Sequence, residues 1–266
     1  QKMIDSMNDG DTLSFEANAV YNDISIYTDK NIKIFGNNAT LIGYDNINLT
    51  NVPDKITKTT SEGGYAITER AVLYSVNNTG VVISNLNIVS QYPGYNPTKV
   101  TANTNEYKTA GIRTKESKNI TITGCNINGA SWGIYLEYSG IAIVTNNNIQ
   151  NQYTTGILNF GTPQSIIANN TITNVVNHGI DVRHGTGPKV TVFNNTIKGA
   201  KEGILLMHSK GHNVYGNTII DSKISGITAY GSSDENIFNN SISGSRIGIL
   251  LGGGYYNVTI GENTYN

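Results

Sequence analysis

A glycine-isoleucine pair recurs at nearly constant spacing through the second half of the chain. The steps between successive glycines are 22, 23, 23, 24, 23 and 22 residues. A fixed period of this length is typical of repeat proteins in which each unit forms one turn of a solenoid. The sequence therefore predicts one continuous body of stacked coils. The seven pairs begin at Gly111, Gly133, Gly156, Gly179, Gly203, Gly226 and Gly248.

Each repeat contains three apolar positions, which predict three short strands. The Gly-Ile pair opens one strand, and an Asn-x-Ile unit closes the repeat, with Cys125 replacing the Asn once. Strands that pair with their counterparts one coil away place equivalent residues about 4.8 Å apart, so inward Ile and Asn side chains should form columns. We assign the middle apolar position to Ile122, Ile143, Ile166, Val190, Ile237 and Val258.

The first half of the chain departs from this repeat. Ile4 and Met7 lie on one side of a short helix predicted within residues 1–10, which would cap the first coil. Two polar insertions, at 45–70 and 90–109, interrupt the alternating apolar pattern that follows. We expect an all-β, single-domain right-handed parallel solenoid of nine to ten coils over the whole chain, cut from a longer protein.

Composition excludes several classes of partner. Only 14% of the residues are charged and the net charge is −1, so the chain lacks the clustered Lys and Arg that bind nucleic acid. No run approaches the roughly 18 apolar residues of a membrane span. One cysteine, Cys125, excludes an internal disulfide framework. We therefore expect no nucleic-acid partner, no membrane span in this chain, no cofactor and a monomer.

The repeat and the opening stretch QKMIDSMNDGDTLSF resemble the right-handed parallel β-helix, or pectin-lyase-like, family over essentially all 266 residues. The Asn-rich and Tyr-rich coils with N-N-T-I units most resemble adhesin-like surface proteins of methanogenic archaea. This resemblance implies an extracellular or cell-surface module for adhesion or carbohydrate binding. A passive structural stalk needs only a stable repeat and is a further alternative.

Alternation along the Gly-Ile strand predicts which side chains face solvent. If the Ile after each glycine points inward, residues two and four positions after that glycine point outward. The same rule predicts an exposed apolar band of Leu158, Phe160, Leu205, Met207 and Leu250. The predicted ligand-binding residues on or beside this face are Arg113, Lys115, Tyr135, Glu137, Tyr138, Phe160, His208 and Tyr230, with Tyr92 and Tyr95 on the second insertion.

The strand that begins at Gly179 concentrates ionisable residues. The repeat places His178 beside Glu202 and His184 beside His208, one coil apart. Lyases and epimerases of uronic-acid polysaccharides need a cation for the sugar carboxylate, a base for the C5 proton and an acid. The predicted catalytic residues are His178, Asp181, Arg183 and His184. Two histidines are too few ligands for a typical zinc site, so no metal is predicted.

The same stretch resembles the alginate C5-epimerase motif, in which an aromatic-Gly-aromatic segment leads to Asp-Pro-His. Asp181 stands at the matching position, but Val182 replaces Pro and Arg183 replaces the motif's His, with His184 one position late. His178 stands in place of an aromatic residue. The alternative hypothesis is therefore a lyase, C5-epimerase or hydrolase acting on an acidic polysaccharide.

Overall fold

The computed structural model describes residues 2–43, 59–62, 65–68, 70–90, 109–184 and 189–266. These residues form a right-handed parallel β-solenoid of about nine turns, which confirms the predicted fold class. Tyr92, Tyr95 and most of the second predicted insertion lie outside the described residues. The first predicted insertion contains an antiparallel hairpin of β6 (Thr59–Glu62) and β7 (Tyr65–Thr68).

Three parallel sheets run along the solenoid, and almost every coil contributes one strand to each. Sheet A contains β1 (Thr12–Ser14), β4 (Lys33–Phe35), β9 (Val82–Ser84), β12 (Ile120–Thr123), β15 (Ala142–Thr145), β18 (Ile166–Ala168), β21 (Thr191–Phe193), β24 (Asn213–Tyr215), β27 (Asn236–Phe238) and β30 (Thr259–Ile260). Sheet B contains β2 (Val20–Tyr21), β5 (Thr40–Ile42), β10 (Asn87–Val89), β13 (Asn126–Asn128), β16 (Asn148–Gln150), β19 (Thr171–Thr173), β22 (Thr196–Lys198), β25 (Thr218–Ile220), β28 (Ser241–Ser243) and β31 (Thr264–Tyr265). Sheet C contains β3 (Ile26–Thr28), β8 (Arg70–Val76), β11 (Thr109–Lys115), β14 (Trp132–Glu137), β17 (Thr155–Phe160), β20 (His178–Arg183), β23 (Glu202–Met207), β26 (Ser225–Tyr230) and β29 (Ile247–Gly252).

The N-terminal helix α1 (Lys2–Ser6) covers the open end of the first coil. Ile4 is buried in the core and Met7 packs against it. The ammonium group of Lys30, in the first coil, donates to the carbonyl oxygens of Asp5 and Met7 at the C-terminal end of the helix. The predicted helical cap is therefore confirmed, with a cation satisfying the last carbonyls of the helix.

Steric contacts explain why glycine precedes the inward isoleucine in each pair. A Cβ atom on Gly156 would lie 2.6 Å from the carbonyl oxygen of Gly179 and 2.6 Å from Cγ2 of Ile172. The first atom belongs to the next coil of sheet C, and the second to an Asn-x-Ile unit of sheet B. Because the backbone and a core isoleucine both occupy the space, glycine is the one residue that fits beside each inward Ile.

The asparagines of the Asn-x-Ile units form a buried hydrogen-bonded column, as predicted. The Oδ1 atom of Asn170 accepts from both the backbone N–H and the side-chain amide of Asn147, each at 3.0 Å. Cys125 heads this column, because its N–H donates to Oδ1 of Asn147 at 3.0 Å. Burial raises the pKa of the Cys125 thiol to about 11, as expected for an unreactive core residue. The pattern repeats through Asn195, Asn217, Asn240 and Asn263.

The prediction of the middle apolar position chose the wrong face in two repeats, and in two others it chose Val190 and Val258, two residues before the paired positions Val192 and Ile260. Ile143 and Ile166 are 37% and 39% exposed, and the inward residues of these strands are Val144 and Ile167. A shift of one residue moves a side chain to the other face of a strand. Each repeat has two adjacent apolar residues here, so the pattern alone does not select the inward one.

Two titratable side chains lie in the solenoid interior near sheet A. His212 is fully buried, and its Nδ1 accepts from the backbone N–H of Val190 at 3.1 Å. Glu235, one coil further on and also fully buried, accepts from the N–H of His212 at 2.7 Å and from the hydroxyl of Ser209 at 2.9 Å. Burial lowers the pKa of His212 to about 4 and raises that of Glu235 to about 7.

Candidate functional site

Three outward columns of side chains cover sheet C, and two of them follow the predicted alternation. The isoleucine after each glycine from Gly111 to Gly226 is buried in the core, whereas residues two and four after the glycine lie on the outer face. The residue one before the glycine also lies on the outer face, where strict alternation would turn it inward, as the contact between His178 and Asp181 shows. The middle column is flanked on both sides by the other two on its own strand. Its members include Arg113 and Asp181, whose relative exposures are only 3% and 1%.

The predicted apolar band lies on the outer face but is less exposed than predicted. Leu158 and Leu205 belong to the middle column and are buried. Phe160, Met207 and Leu250 are half-buried. The strand alternation gave the direction of these side chains correctly, but the flanking columns leave the central one little contact with solvent.

A charged cluster occupies the outer face at the coil of Gly179. The Nε atom of Arg183 donates to both carboxylate oxygens of Asp181 at 2.8 Å, and Nη2 lies 2.7 Å from Oδ2. His178 lies between two carboxylates, with Nδ1 3.0 Å from Asp181 Oδ2 and Nε2 3.2 Å from Glu202 Oε2. The structure therefore joins three of the four predicted catalytic residues and adds Glu202 from the next coil.

Contacts between opposite charges determine the direction of the pKa shifts in this cluster. Although burial alone would lower the pKa of His178, its contacts with Asp181 and Glu202 raise that pKa above its usual range. Burial would likewise raise the pKa of Asp181, but His178 and Arg183 hold it below its usual range. The contact with His178 also lowers the pKa of Glu202. The cluster therefore favours the ion-paired form, in which the imidazolium of His178 and the guanidinium of Arg183 face two carboxylates.

Two hydroxyl groups that the sequence analysis missed support Glu202 from the following coil. Thr228 Oγ1 lies 3.4 Å from Glu202 Oε1 and donates to it, and it lies 2.6 Å from the hydroxyl of Ser225. Ser225 is the residue paired with Glu202 in the sheet. Extending the repeat register by one coil beyond Glu202 would have identified Ser225, since equivalent positions stack.

A second ion pair lies beneath the surface two coils before the charged cluster. The guanidinium of Arg113 lies 5.3 Å from the ring centroid of Tyr74 and 4.9 Å from that of Tyr135. It pairs with Glu137, whose other oxygen is 3.8 Å from Lys115 Nζ. Arg113 and Glu137 are buried, so these two predicted ligand-binding residues lie beneath the surface in an internal pair.

Five rings follow one another along the edge of sheet C, one on each of five consecutive coils. Their successive centroids are 5.2, 5.0, 5.8 and 6.0 Å apart, and three of the four contacts are edge-to-face at 84°, 63° and 82°. The terminal rings, Tyr138 and Tyr230, are 47% and 46% exposed. We call this set the ring row: Tyr138, Phe160, His184, His208 and Tyr230.

The fourth predicted catalytic residue, His184, belongs to this ring row rather than to the charged cluster. Its ring stacks on that of His208 at an interplanar angle of 21°, as the repeat predicted. Neither imidazole makes a hydrogen bond to another described residue, and both side chains are exposed. The ring row therefore presents two exposed imidazoles at its centre.

A second set of rings, on sheet A, differs from the ring row in orientation. Phe193, Tyr215 and Phe238 have successive centroids 5.1 and 5.0 Å apart and interplanar angles of 7° and 11°. Parallel stacking covers both faces of the central ring, whereas an edge-to-face contact covers one face of one ring. We call this set the stacked row, and it leaves mainly ring edges for other molecules.

The described part of the chain contains neither of two further kinds of feature. No group of three or more His, Cys, Asp or Glu side chains there is arranged to hold a metal ion. Within the same residues, no helix has the length and apolar character required to cross a membrane.

Stacked coils, a buried Asn column and a helix over the first coil define a right-handed parallel β-helix protein. The chain belongs to the family described as right handed beta helix region, which matches residues 56–241. A comparison with curated protein sequences finds no match.

Solved structures with the same fold include carbohydrate-related proteins. One is a tailspike protein mutant of E. coli bacteriophage HK620 in complex with a pentasaccharide, with a TM-score of 0.68 and 10% identity, covering 99% of this chain and 52% of that one. An alginate lyase from Paenibacillus sp. has a TM-score of 0.52 and 15% identity, covering 97% and 95%. A periplasmic alginate epimerase double mutant has a TM-score of 0.56 and 15% identity, covering 96% and 69%. The chain thus spans about half the length of the tailspike, and at these identities the likeness shows the fold alone.

Proposed function

We propose that the protein is a polysaccharide-binding module whose ligand lies on the ring row. The observation that supports this most directly is the row itself. Five rings occupy consecutive coils, mostly in edge-to-face contact, and their terminal members are about half exposed. Exposed rings with polar edges suit the apolar faces and hydroxyl groups of sugars.

Polar groups beside the ring row fit the same ligand. Arg183 is 30% exposed at the side chain, although its Nε and Nη2 atoms are engaged with Asp181. The exposed imidazoles of His184 and His208 lie between the aromatic members. Such donors fix the orientation of a sugar, while the rings provide contact area. Lys115 and Tyr135 lie further toward the N-terminus on the same sheet and extend this surface.

We further propose that binding serves adhesion at a cell surface, in an extracellular setting. The Asn-rich coils resemble adhesin-like surface proteins, and carbohydrate ligands occur among the proteins with the same fold. The same resemblance leads us to propose that the natural host is a methanogenic archaeon. Binding of the protein to intact cells, and its loss in a ring-row variant, would test adhesion separately from carbohydrate binding.

A panel of immobilised acidic and neutral polysaccharides tests the binding proposal. The ring-row variant combines Phe160→Thr with His208→Asn, because Asn tolerates the left-handed backbone of position 208, where φ is 49°. The matched control is Tyr215→Thr in the stacked row. We expect at least one polymer to bind the wild type and the control equally, and the ring-row variant at least about tenfold more weakly.

Two results would contradict this proposal. One is a folded wild-type protein that binds no polymer of the panel, which would favour a passive stalk. The other is equal weakening in the ring-row variant and in Tyr215→Thr, which would show that the loss comes from general destabilisation.

A second candidate function is catalysis on an acidic polysaccharide, and the position of His178 favours it. A protonated imidazole held between Asp181 and Glu202 is a proton donor, and the half-buried Glu202 carboxylate beside it is a proton acceptor. Such a pair supplies the acid and the base that a lyase, epimerase or hydrolase needs. Arg183 is the nearest cation for a sugar carboxylate.

Incubation with polymers that bind, followed by product analysis, separates catalysis from binding. We expect an enzyme to lose turnover in Glu202→Gln and His178→Gln while each variant still binds the polymer. Unchanged polymer length and sugar configuration after prolonged incubation with the wild type would exclude this candidate and leave the binding proposal intact.

A further inference from the structure

We infer that the protein carries a row of N-linked glycans along the corner where each coil passes from sheet A to sheet B. This inference goes beyond the proposed function, since it requires the extracellular setting but not the binding of a polysaccharide. Four sequons of the form Asn-x-Ser/Thr lie at this corner, and each ends at the first residue of a sheet B strand. We call their first residues the corner asparagines: Asn38, Asn169, Asn194 and Asn239.

The turn at this corner directs the corner asparagines into solvent. All four are exposed, and their φ angles, from 53° to 61°, lie in the left-handed region that asparagine tolerates. Within the described part of the chain, none of their carboxamide groups forms a hydrogen bond. A bulky group on the carboxamide nitrogen would therefore break no contact of the folded protein.

The asparagine that follows a corner asparagine has the opposite environment. Asn170, Asn195 and Asn240 are buried in the hydrogen-bonded column, where each side-chain amide has a partner. None of these three begins a sequon. In each Asn-Asn-Thr or Asn-Asn-Ser segment, the sequon thus begins at the asparagine whose side chain stays in solvent after folding, which is where a glycan fits.

The modification is the transfer of an oligosaccharide from a lipid-linked phosphate donor. The carboxamide nitrogen of a corner asparagine forms a bond to C1 of the first sugar, and the bond between C1 and the phosphate oxygen breaks. The lipid phosphate leaves and the nitrogen loses one proton, so nothing is oxidised or reduced. A transferase of the host membrane supplies the catalysis, and this chain supplies the acceptor amide and the hydroxyl two residues later.

The position of the row leaves the proposed binding surface uncovered. Each coil runs from sheet C to sheet A and then to sheet B, so this is the one corner that does not border sheet C. Asn169 and Asn194 lie on adjacent coils, and Asn239 lies two coils further on. Three other described sequons lie at the corner between sheets C and A and are not part of this row; they begin at Asn77, Asn119 and Asn257.

Secretion of the chain from a eukaryotic cell line that N-glycosylates its exported proteins, followed by mass spectrometry of the peptides, tests this inference. We expect a glycan on each corner asparagine, and its removal by peptide N-glycosidase should leave an aspartate there. Thr196→Val should lose the glycan of Asn194 alone. Thr218→Val is the matched control, because Gly216 stands at the corner of that coil and no sequon is present.

A gain of one glycan provides a second test. Asn146 lies at the same corner, is exposed and has a φ of 57°, but its segment ends in Asn148 where the following coil has Thr171. Because Asn148→Thr completes a sequon at an exposed position, we expect this variant to carry one additional glycan, on Asn146.

Two results would overturn the inference. One is a secreted, folded wild-type protein whose corner asparagines are unmodified, which would show that the repeat produces these sequons without their being used. The other is an Asn148→Thr variant without a glycan on Asn146, which would show that the corner turn does not determine the modification. Polysaccharide binding is measured separately on protein from cells that lack N-glycosylation, so failure of either proposal leaves the other intact.

Discussion

His178 and Glu202 connect two coils of the outer face, with His178 Nε2 3.2 Å from Glu202 Oε2. The other ring nitrogen of His178 lies 3.0 Å from Asp181 Oδ2, within its own coil. A histidine in this position links a buried carboxylate to a half-buried one. The stability of the face and the proposed acid-base chemistry therefore depend on the same protonation state of one imidazole.

The contribution of His178 to stability should depend on pH. Its pKa is raised above the usual 6.5, so its contribution is complete below pH 6.5 and is lost as the pH rises through the raised value. Glu202 has a lowered pKa, so it is ionised at both pH values used below. We expect His178→Gln to reduce the free energy of unfolding by about 1 kcal/mol more at about pH 5.5 than at about pH 9. Urea unfolding at the two pH values measures this, and an equal effect at both would contradict it.

Glu235 should stabilise the fold in its neutral form, because its carboxyl group is buried in the interior. Its pKa is raised from 4.5 to about 7, so the stability that it contributes is complete below pH 4.5 and is lost as the pH rises through about 7. We expect Glu235→Gln to stabilise the fold by about 1 to 3 kcal/mol at about pH 8.5, with little effect at about pH 4.5. Thermal unfolding at both pH values checks this. A variant that is equally destabilised at both would show that the hydrogen bonds from Ser209 and His212 outweigh the charge.

Gly156→Ala should destabilise the protein severely. The added methyl group would lie 2.6 Å from a backbone oxygen of the next coil and 2.6 Å from Ile172, so neither neighbour can move away without disturbing the core. We expect a loss of about 2 to 4 kcal/mol. Gly252→Ala is the matched control, since its nearest neighbour is the Tyr230 ring at 3.3 Å. Similar losses in the two variants would refute the steric account of the repeat.

Asn195→Ala should be among the most damaging polar substitutions. Asn195 Oδ1 accepts from the N–H and the side-chain amide of Asn170 at 3.0 and 2.9 Å, and its own amide donates to Asn217. Removal leaves buried donors without acceptors, at a cost of about 2 to 4 kcal/mol. Asn126→Thr, on the exposed face of sheet B, should change stability by less than about 0.5 kcal/mol. Denaturant unfolding of both variants decides whether burial of the amide accounts for the difference.

Most of the fold was predictable because the steric cause of the repeat is local and periodic. Each glycine of the pairs from Gly111 to Gly226 meets a backbone oxygen of the next coil and an isoleucine of sheet B, so a single period fixes the strand order, the register and the Asn column. The middle strand was the exception, since adjacent apolar residues such as Ile143 and Val144 leave its inward face undetermined. The interior position of Glu235 was also missed, because a glutamate within a polar turn sequence gives no sign of burial.

The site was predictable in its positions and less so in its contacts. Coil register placed His178 beside Glu202 and His184 beside His208, as the structure has them. Exposure depends on side chains of neighbouring columns, so the burial of Arg113 and Glu137 did not follow from strand direction. Ring orientation also depends on side-chain torsions, so strand periodicity could not distinguish the ring row from the stacked row.

The four histidines of the chain provide the most direct test of the proposed binding surface. His184 and His208 are central in the ring row, whereas His212 is fully buried in the interior. We predict that titration with a bound oligosaccharide shifts the imidazole proton resonances of His184 and His208 in nuclear magnetic resonance spectra, saturably and with the same dissociation constant, and leaves those of His212 unchanged. Saturable binding without any change at His184 and His208 would contradict the account.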